Sequence, residues 1–160
     1  MDFIEDRAAI ERMLRGSAWG SLGLAVDGQP YVVPVNYAYV HGRIVFHCGL
    51  KGRKLDAIAA NPQVCFCVAQ QAGAPRDHPG GKPCETDSQS VLVFGRARLV
   101  TESDRRRLLA NAFNREFRPD ADDLSDERIA SCVVVEIVID EMTARVEAGG
   151  KRTYWRHVAR

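Results

Sequence analysis

The tetrapeptide Lys51-Gly52-Arg53-Lys54 puts three cations where a helix is expected to start, because Leu55, Ile58 and Ala59 of residues 52–60 fall on one helical face. That end of a helix already carries free N–H groups and the positive end of the macrodipole, so each cation there costs about 0.3–1 kcal/mol. The conflict disappears if the turn holds an anion. Backbone N–H groups with Arg and Lys side chains form a phosphate cradle, and Gly52 lets the backbone approach the ligand. Three solvated cations tolerating a small penalty explain the turn equally well, and the turn alone leaves both readings open. The strand feeding it, Ile44-Val45-Phe46-His47-Cys48-Gly49, delivers His47 and Cys48 to the same rim. A planar ring would find backbone N–H and C=O groups along the neighbouring Pro34-Val35-Asn36 stretch.

Other reactive side chains carry weaker signals. His47 with Cys48 suits a pocket wall, a haem or metal ligand, or plain packing, and a tetrahedral metal site needs four ligands. Cys65 and Cys67 flank Phe66 on an expected strand, so both face one way; they read as buried core thiols rather than a redox pair. Cys84 and His78 sit in one loop, either as a nucleophile–base pair lacking an orienting group or as structural residues. His41 falls in a turn and His157 in the tail, each without a nameable partner. Arg105-Arg106-Arg107 follows Glu102 and Asp104 and reads as a solvated helix face rather than a nucleic-acid patch. The Ser, His and Asp residues suggest no triad, and no nucleoside-triphosphate loop occurs.

The elements that must position these residues are mostly strands. Residues 5–15 space Ile10, Met13 and Leu14 as an amphipathic helix. Strands are expected at 19–26, 31–40, 43–48, 64–69, 90–100 and 132–139, the last extendable through 143–147. Asp27-Gly28 and His41-Gly42 make tight turns. Pro34 predicts a bulge or an unpaired edge, and Gly95 a bend or close approach. Residues 71–89, rich in Gly and Pro, form a long loop of the kind usually tied to function. Thr101 with Asp104 predicts a capped helix, 121–130 a short helical turn, and 148–160 a basic, aromatic arm. Six or so largely antiparallel strands with peripheral helices argue for a mainly β fold, a barrel that closes its own edges.

The 160 residues suit one domain, residues 1–160. The 22 basic and 21 acidic side chains leave a net charge of +1, which argues against a nucleic-acid or acidic-membrane surface. No apolar run is long enough to span a bilayer, and residues 1–6 hold no apolar signal core. Five cysteines, an odd number, fit free thiols in a reducing compartment; the expected location is cytoplasmic.

The run from Phe46 through Gly52-Arg53-Lys54-Leu55 to Asn61-Pro62-Gln63-Val64 resembles the core of the pyridoxamine-phosphate-oxidase-like flavoproteins, in particular the branch of nitroimidazole-resistance reductases. Gly28-Gln29-Pro30-Tyr31-Val32-Val33-Pro34-Val35-Asn36-Tyr37, Lys82-Pro83-Cys84 and Ser90-Val91-Leu92-Val93-Phe94-Gly95-Arg96-Ala97 agree in order and spacing. The resemblance covers roughly residues 5–147. It implies a split β-barrel homodimer with FMN in two clefts between subunits. On matching positions, Arg53 and Lys54 would hold the FMN phosphate with Lys51 nearby. Val35 and Asn36 would face the ring, His47, Cys48 and Gly49 would line the pocket, and Ser90 would lie on a neighbouring strand. His47 or Cys48 would face the substrate. Tyr154 and Trp155 would stack on a partner's flavin or simply pin the tail. Where the family often shows an aromatic followed by a cation, this chain has Ser88-Gln89, which changes one pocket wall. The implied activity is reduction of a small nitroaromatic or quinone-like molecule with electrons from NAD(P)H. A non-catalytic flavin- or haem-binding redox module is the alternative, deazaflavin or haem are alternative cofactors, and pyridoxamine 5'-phosphate oxidation ranks last.

Overall fold

A computed structural model describes residues 2–71 and 86–159. The His78–Cys84 pair and Lys82-Pro83-Cys84 lie outside the described residues. In chain order the elements are α1 (Arg7–Arg15), β1 (Trp19–Val26), β2 (Gln29–Asn36), β3 (Ala38–Val40), β4 (Arg43–Cys48), α2 (Arg53–Ala60), β5 (Gln63–Gln71), β6 (Ser88–Leu99), α3 (Ser103–Phe117), α4 (Asp126–Ala130), β7 (Val133–Ala148) and β8 (Lys151–Val158). The strands make one antiparallel sheet in the order β2-β1-β5-β6-β7-β4-β3, with β8 also on β7. The fold is mainly β, as the patterning predicts.

The first and last strands of that order are consecutive in the chain. The expected strand over residues 31–40 breaks at Tyr37 into β2 and β3, which therefore form opposite edges of the sheet. Tyr37 is buried at this corner, its ring edge-on to Phe66 at 4.8 Å and its hydroxyl donating to the Leu14 carbonyl at 2.5 Å. The sheet thus curls until its ends meet through one residue, while β2 and β4 approach without a ladder between them. That gap is the split in the barrel. Pro34 sits on β2, an edge strand, where its missing donor costs no ladder bond.

Local chemistry fixes the rest. Asp27-Gly28 and His41-Gly42 have positive φ at both residues, the condition for the tight hairpin turn that matches strand twist. The β6–β7 register shifts between Phe94 and Gly95, and a Cβ on Gly95 would stand 2.1 Å from the Val138 carbonyl oxygen. The expected close approach is therefore a bulge that only glycine fits. Helix α1 is capped by Asp6, whose side chain accepts from the Ala9 N–H at 3.0 Å. The expected Thr101 cap does not form: α3 starts from Glu102, with no side-chain cap bond. Residues 151–158, expected as an arm, pair with β7 because the Gly149-Gly150 turn, with positive φ at both glycines, folds the chain back along it. The outer edge of β8 is in turn bridged by Ile4, whose N–H donates to the Tyr154 carbonyl (2.9 Å) and whose carbonyl accepts from Arg156 (3.1 Å).

Two apolar clusters result. The barrel interior holds Leu22, Phe46, Phe66, Val93, Ile137 and their neighbours, sealed at one end by Ile10 and Leu14 of α1. A second cluster lies outside the barrel, where α3 and α4 cover Val45 and Val134 with Leu109, Phe113 and Ile129. On the uncovered outer face, Trp19 and Val32 stay 62% and 65% exposed. Cys65 and Cys67 belong to this face, opposite Phe94 and Leu92, and are half-buried rather than core residues. Their thiols are pushed up by burial.

Candidate functional site

The Lys51–Lys54 turn joins β4 to α2. Gly52 is the N-cap, with φ +144° and ψ 161°, a backbone conformation open in practice only to glycine. A Cβ there would meet nothing within 4 Å, so the space in front of the turn is open. No side chain caps α2, and the Gly52 carbonyl accepts from Leu55 and Asp56, leaving Arg53 and Lys54 as the N–H groups an α-helix does not satisfy internally. Arg53 stacks over the Tyr31 ring of β2 at 4.4 Å, and Lys54 lies over the Phe46 ring of β4 at 5.5 Å. The two cations therefore diverge to the two strands that border the split. Among the described residues, Lys51, Arg53 and Lys54 enter no ion pair. Free N–H groups, an uncapped glycine and uncompensated cations suit a phosphate monoester or diester.

The remaining expected site residues divide between faces. His47 and Cys48 are neighbours in sequence, yet alternate strand residues point to opposite sides of a sheet. Cys48 packs against the barrel core and its thiol is pushed up, first by burial. His47 stands on the outer face beside α3, edge-on to Phe113 at 4.9 Å. Partial burial, reinforced by the charge of Lys54, holds its imidazole below its ordinary value. A cleft of about 240 Å³ opens there, with His47, Asn114, Arg128 and Cys132 in its wall. Gly49 and Lys51 are exposed in the connection to α2. Val35 points into the barrel core, while Asn36 donates from its amide to the Ala18 carbonyl at 2.7 Å. Asn36 lies opposite Trp19 on the uncovered outer face. Ser90 lies opposite Ala69 and Arg145 on that same face, three strands away from β2. The structure thus gathers Arg53, Lys54 and Gly52 at the split, with His47 beside Lys54, and leaves Ser90 remote from them.

The Arg105–Arg107 run is not a solvated face. Arg105 joins Arg98 and Arg43 around the fully buried carboxylate of Glu136, at 2.6, 2.7 and 3.3 Å. Burial alone would raise the Glu136 carboxyl, but the bonds from Arg105 and Arg98 outweigh it and hold the group below its ordinary range. Arg106 donates to the Ile129 and Cys132 carbonyls, and Arg107 pairs with Asp126. Sequence reading also missed Tyr31, Phe46 and Phe113 as partners of Arg53, Lys54 and His47. Each looks like an ordinary strand or helix aromatic, and only the tertiary pairing gives it a role.

The fold is an antiparallel β-barrel split beside a cationic helix start. Residues 6–146 match the family model described as pyridoxamine 5'-phosphate oxidase, and the chain belongs to that family. Among solved structures, a candidate 5-nitroimidazole antibiotic resistance protein from Bacteroides thetaiotaomicron is similar at 24% identity and TM-score 0.77, covering 91% of this chain and 86% of that one. The FAD and haem binding protein from Mycobacterium smegmatis aligns at 17% identity and TM-score 0.79, covering 96% and 83%. An FAD-binding protein from Mesorhizobium loti aligns at 25% identity and TM-score 0.65, covering 89% and 96%. No curated protein matches the sequence.

Proposed function

We propose that the chain is a flavoprotein that holds FMN by its phosphate at the start of α2 and passes electrons from NAD(P)H to a small nitroaromatic or quinone-like acceptor. The observation that carries this reading is the Gly52 cradle, with φ +144°, no side-chain cap and open space in front. Family membership supports it, as do the FAD-binding and FAD-and-haem-binding relatives and the nitroimidazole-resistance relative. Arg53 and Lys54 neutralise the phosphate while the first N–H groups of α2 donate to it. When bound, a flavin supplies hydride and electron transfer. The chain's own residues bind and orient it, and no side chain need act as an acid, since solvent can supply protons. Asn36, already bonded to Ala18, offers a fixed polar edge on the side of β2 facing away from the core.

Two copies would share the uncovered outer face, where Trp19, Val32, Leu92 and Phe94 expose a broad apolar surface. We place the protein in the cytoplasm, where unpaired thiols such as Cys48, Cys65, Cys67 and Cys132 stay reduced. No helix among the described residues is long and apolar enough to cross a membrane. Pyridoxamine 5'-phosphate would need a second set of cations, and Arg105, Arg106, Arg107 and Arg152 all bond within the chain.

One observation favours a second reading. His47 stands in the wall of a cleft, and burial favours the neutral imidazole, the form that ligates iron. The test is the visible spectrum of the purified protein with excess FMN or haem. Flavin bands that vanish in Arg53→Ala/Lys54→Ala support the first reading, a Soret band lost in His47→Ala supports the second, and uptake of neither sinks both.

A further inference from the structure

Strands β4 and β8 lie end to end along one edge of β7 and do not meet. β4 pairs with residues 133–137 and β8 with residues 141–148, while β6 takes the opposite edge. The interval at Val138 and Ile139 opens as a notch of about 190 Å³ beside the end of the barrel that α1 seals. The mouth of a β-barrel is a preferred place for a small-ligand site. The floor of the notch is apolar, made by Val138, Ile139 and the buried Met142. Its rim is cationic and comes from separate parts of the chain: Arg7 of α1, His41 of the β3–β4 turn, Arg43 of β4 and His157 of β8. Among the described residues, no carboxylate forms part of that wall. The two arginines are anchored from behind. Arg7 donates through Nε to Glu11 at 2.6 Å, and the Tyr39 hydroxyl donates to the same carboxylate oxygen at 2.8 Å. The Arg7 Nη2 reaches the turn, where a Cβ on Gly42 would stand 3.2 Å from it. Arg43 places its Nε 3.3 Å from Glu136, a longer contact than those of Arg98 and Arg105 to that carboxylate. Three guanidinium groups around one carboxylate leave a surplus of positive charge, and Arg43 is the member that faces the notch.

We propose that the notch is a second ligand site, which takes a small organic carboxylate with an apolar body. The carboxylate lies between Arg7 and Arg43, whose planar guanidinium groups match it in shape and charge, with His41 and His157 at its sides. The body covers Val138, Ile139 and Met142. An inorganic anion would leave that floor to water. The volume is below the about 300 Å³ at which drug-sized sites begin, so the occupant is a short-chain or single-ring acid. The six residues of β4, rising about 3.3 Å each, separate the notch from the Lys51–Lys54 turn. The site is therefore independent of the flavin reading. His157 and Ala159 stand beyond residues 6–146, so part of the wall lies outside the stretch matched to the family.

The experiment titrates benzoate and acetate separately into the full-length protein by calorimetry. It compares the wild type with three variants: Arg43→Gln, Arg53→Ala/Lys54→Ala, and Ala159→Trp, which fills the notch from the exposed residue after β8. Benzoate should bind at one site and about ten-fold tighter than acetate, because its ring covers the apolar floor. Arg43→Gln should weaken benzoate about ten-fold by removing one charge-assisted bond. Ala159→Trp should abolish binding, and since it leaves Arg43 and Glu136 in place, its effect is separate from any loosening of that ion cluster. Arg53→Ala/Lys54→Ala should bind benzoate as the wild type does. Three results would each overturn the proposal: no benzoate binding in the low-millimolar range, equal affinity for benzoate and acetate, or benzoate binding that Ala159→Trp leaves unchanged. Loss of benzoate binding in Arg53→Ala/Lys54→Ala would put the acid at the phosphate turn and overturn it as well.

Discussion

Two clusters of cations stand close to helix starts in this chain, and the fold uses them in opposite ways. Arg105, Arg106 and Arg107 on α3 are each tied to an acceptor supplied by β7, by α4 or by the turn after it, and Glu136 is buried so completely that its ionised form depends on them. Lys51, Arg53 and Lys54 have no such acceptor among the described residues; their only partners are the faces of Tyr31 and Phe46. Charges satisfied inside the protein hold α3 to the barrel. Charges left without an acceptor at an open, uncapped turn are the ones the proposed function assigns to a phosphate. Sequence alone shows two basic runs, and acceptors distant in the chain decide which is structural.

The largest expected effect breaks the second cluster. Arg53→Ala/Lys54→Ala should weaken flavin binding by a hundred-fold or more, since each charge-assisted bond contributes about 1.5–3 kcal/mol. The apoprotein melting temperature should stay within about a degree or two, because neither cation supports the fold. Spectral titration and thermal melts on one preparation check both halves. Next comes the first cluster: Glu136→Ala should destabilise the protein by about 3–5 kcal/mol, measured by urea unfolding. The same carboxylate sets an acid limb. Its folded value is depressed, so its contribution is present above the ordinary 4.5 and fades as pH falls through the lower folded value; the mutant should lack that limb.

Arg107→Ala removes only an exposed pair with Asp126 and should cost less than about 1 kcal/mol. A loss as large as that of Glu136→Ala would mean the first cluster acts as one network. The smallest effect is a titration. The His47 imidazole should titrate below its ordinary 6.5 by NMR, and Lys54→Gln should move it back upward by part of the shift, because burial is the larger cause and remains. An unmoved midpoint would detach His47 from the cradle.

Much of the fold could be read from local signals, since strand alternation, the Asp27-Gly28 and His41-Gly42 turns and the glycine at a bulge are all short-range. The break at Tyr37 could not. Residues 31–40 pattern as one strand, and only the need to close a sheet on itself turns the chain at that point. The tail misread as an arm shows the same limit, because its pairing partner, β7, runs to 16 residues and has spare edge beyond β4. The uncapped, cationic turn at Gly52 is legible because it violates a local rule of helix electrostatics. The placement of His47 and Cys48 on opposite faces is equally legible from strand period, which overrides the shared rim expected for both. Tyr31 was not legible at all, since nothing near it in the chain announces an arginine arriving from α2.

The bridge from Ile4 to β8 has a consequence for how copies of the chain meet. An open strand edge invites addition of a strand from another molecule, and here the residues ahead of α1 occupy that edge with two backbone bonds. Deleting residues 2–5, or fusing a bulky tag that pulls Ile4 away, would turn β8 into a template. Such material should form concentration-dependent, edge-joined aggregates while the barrel itself stays folded.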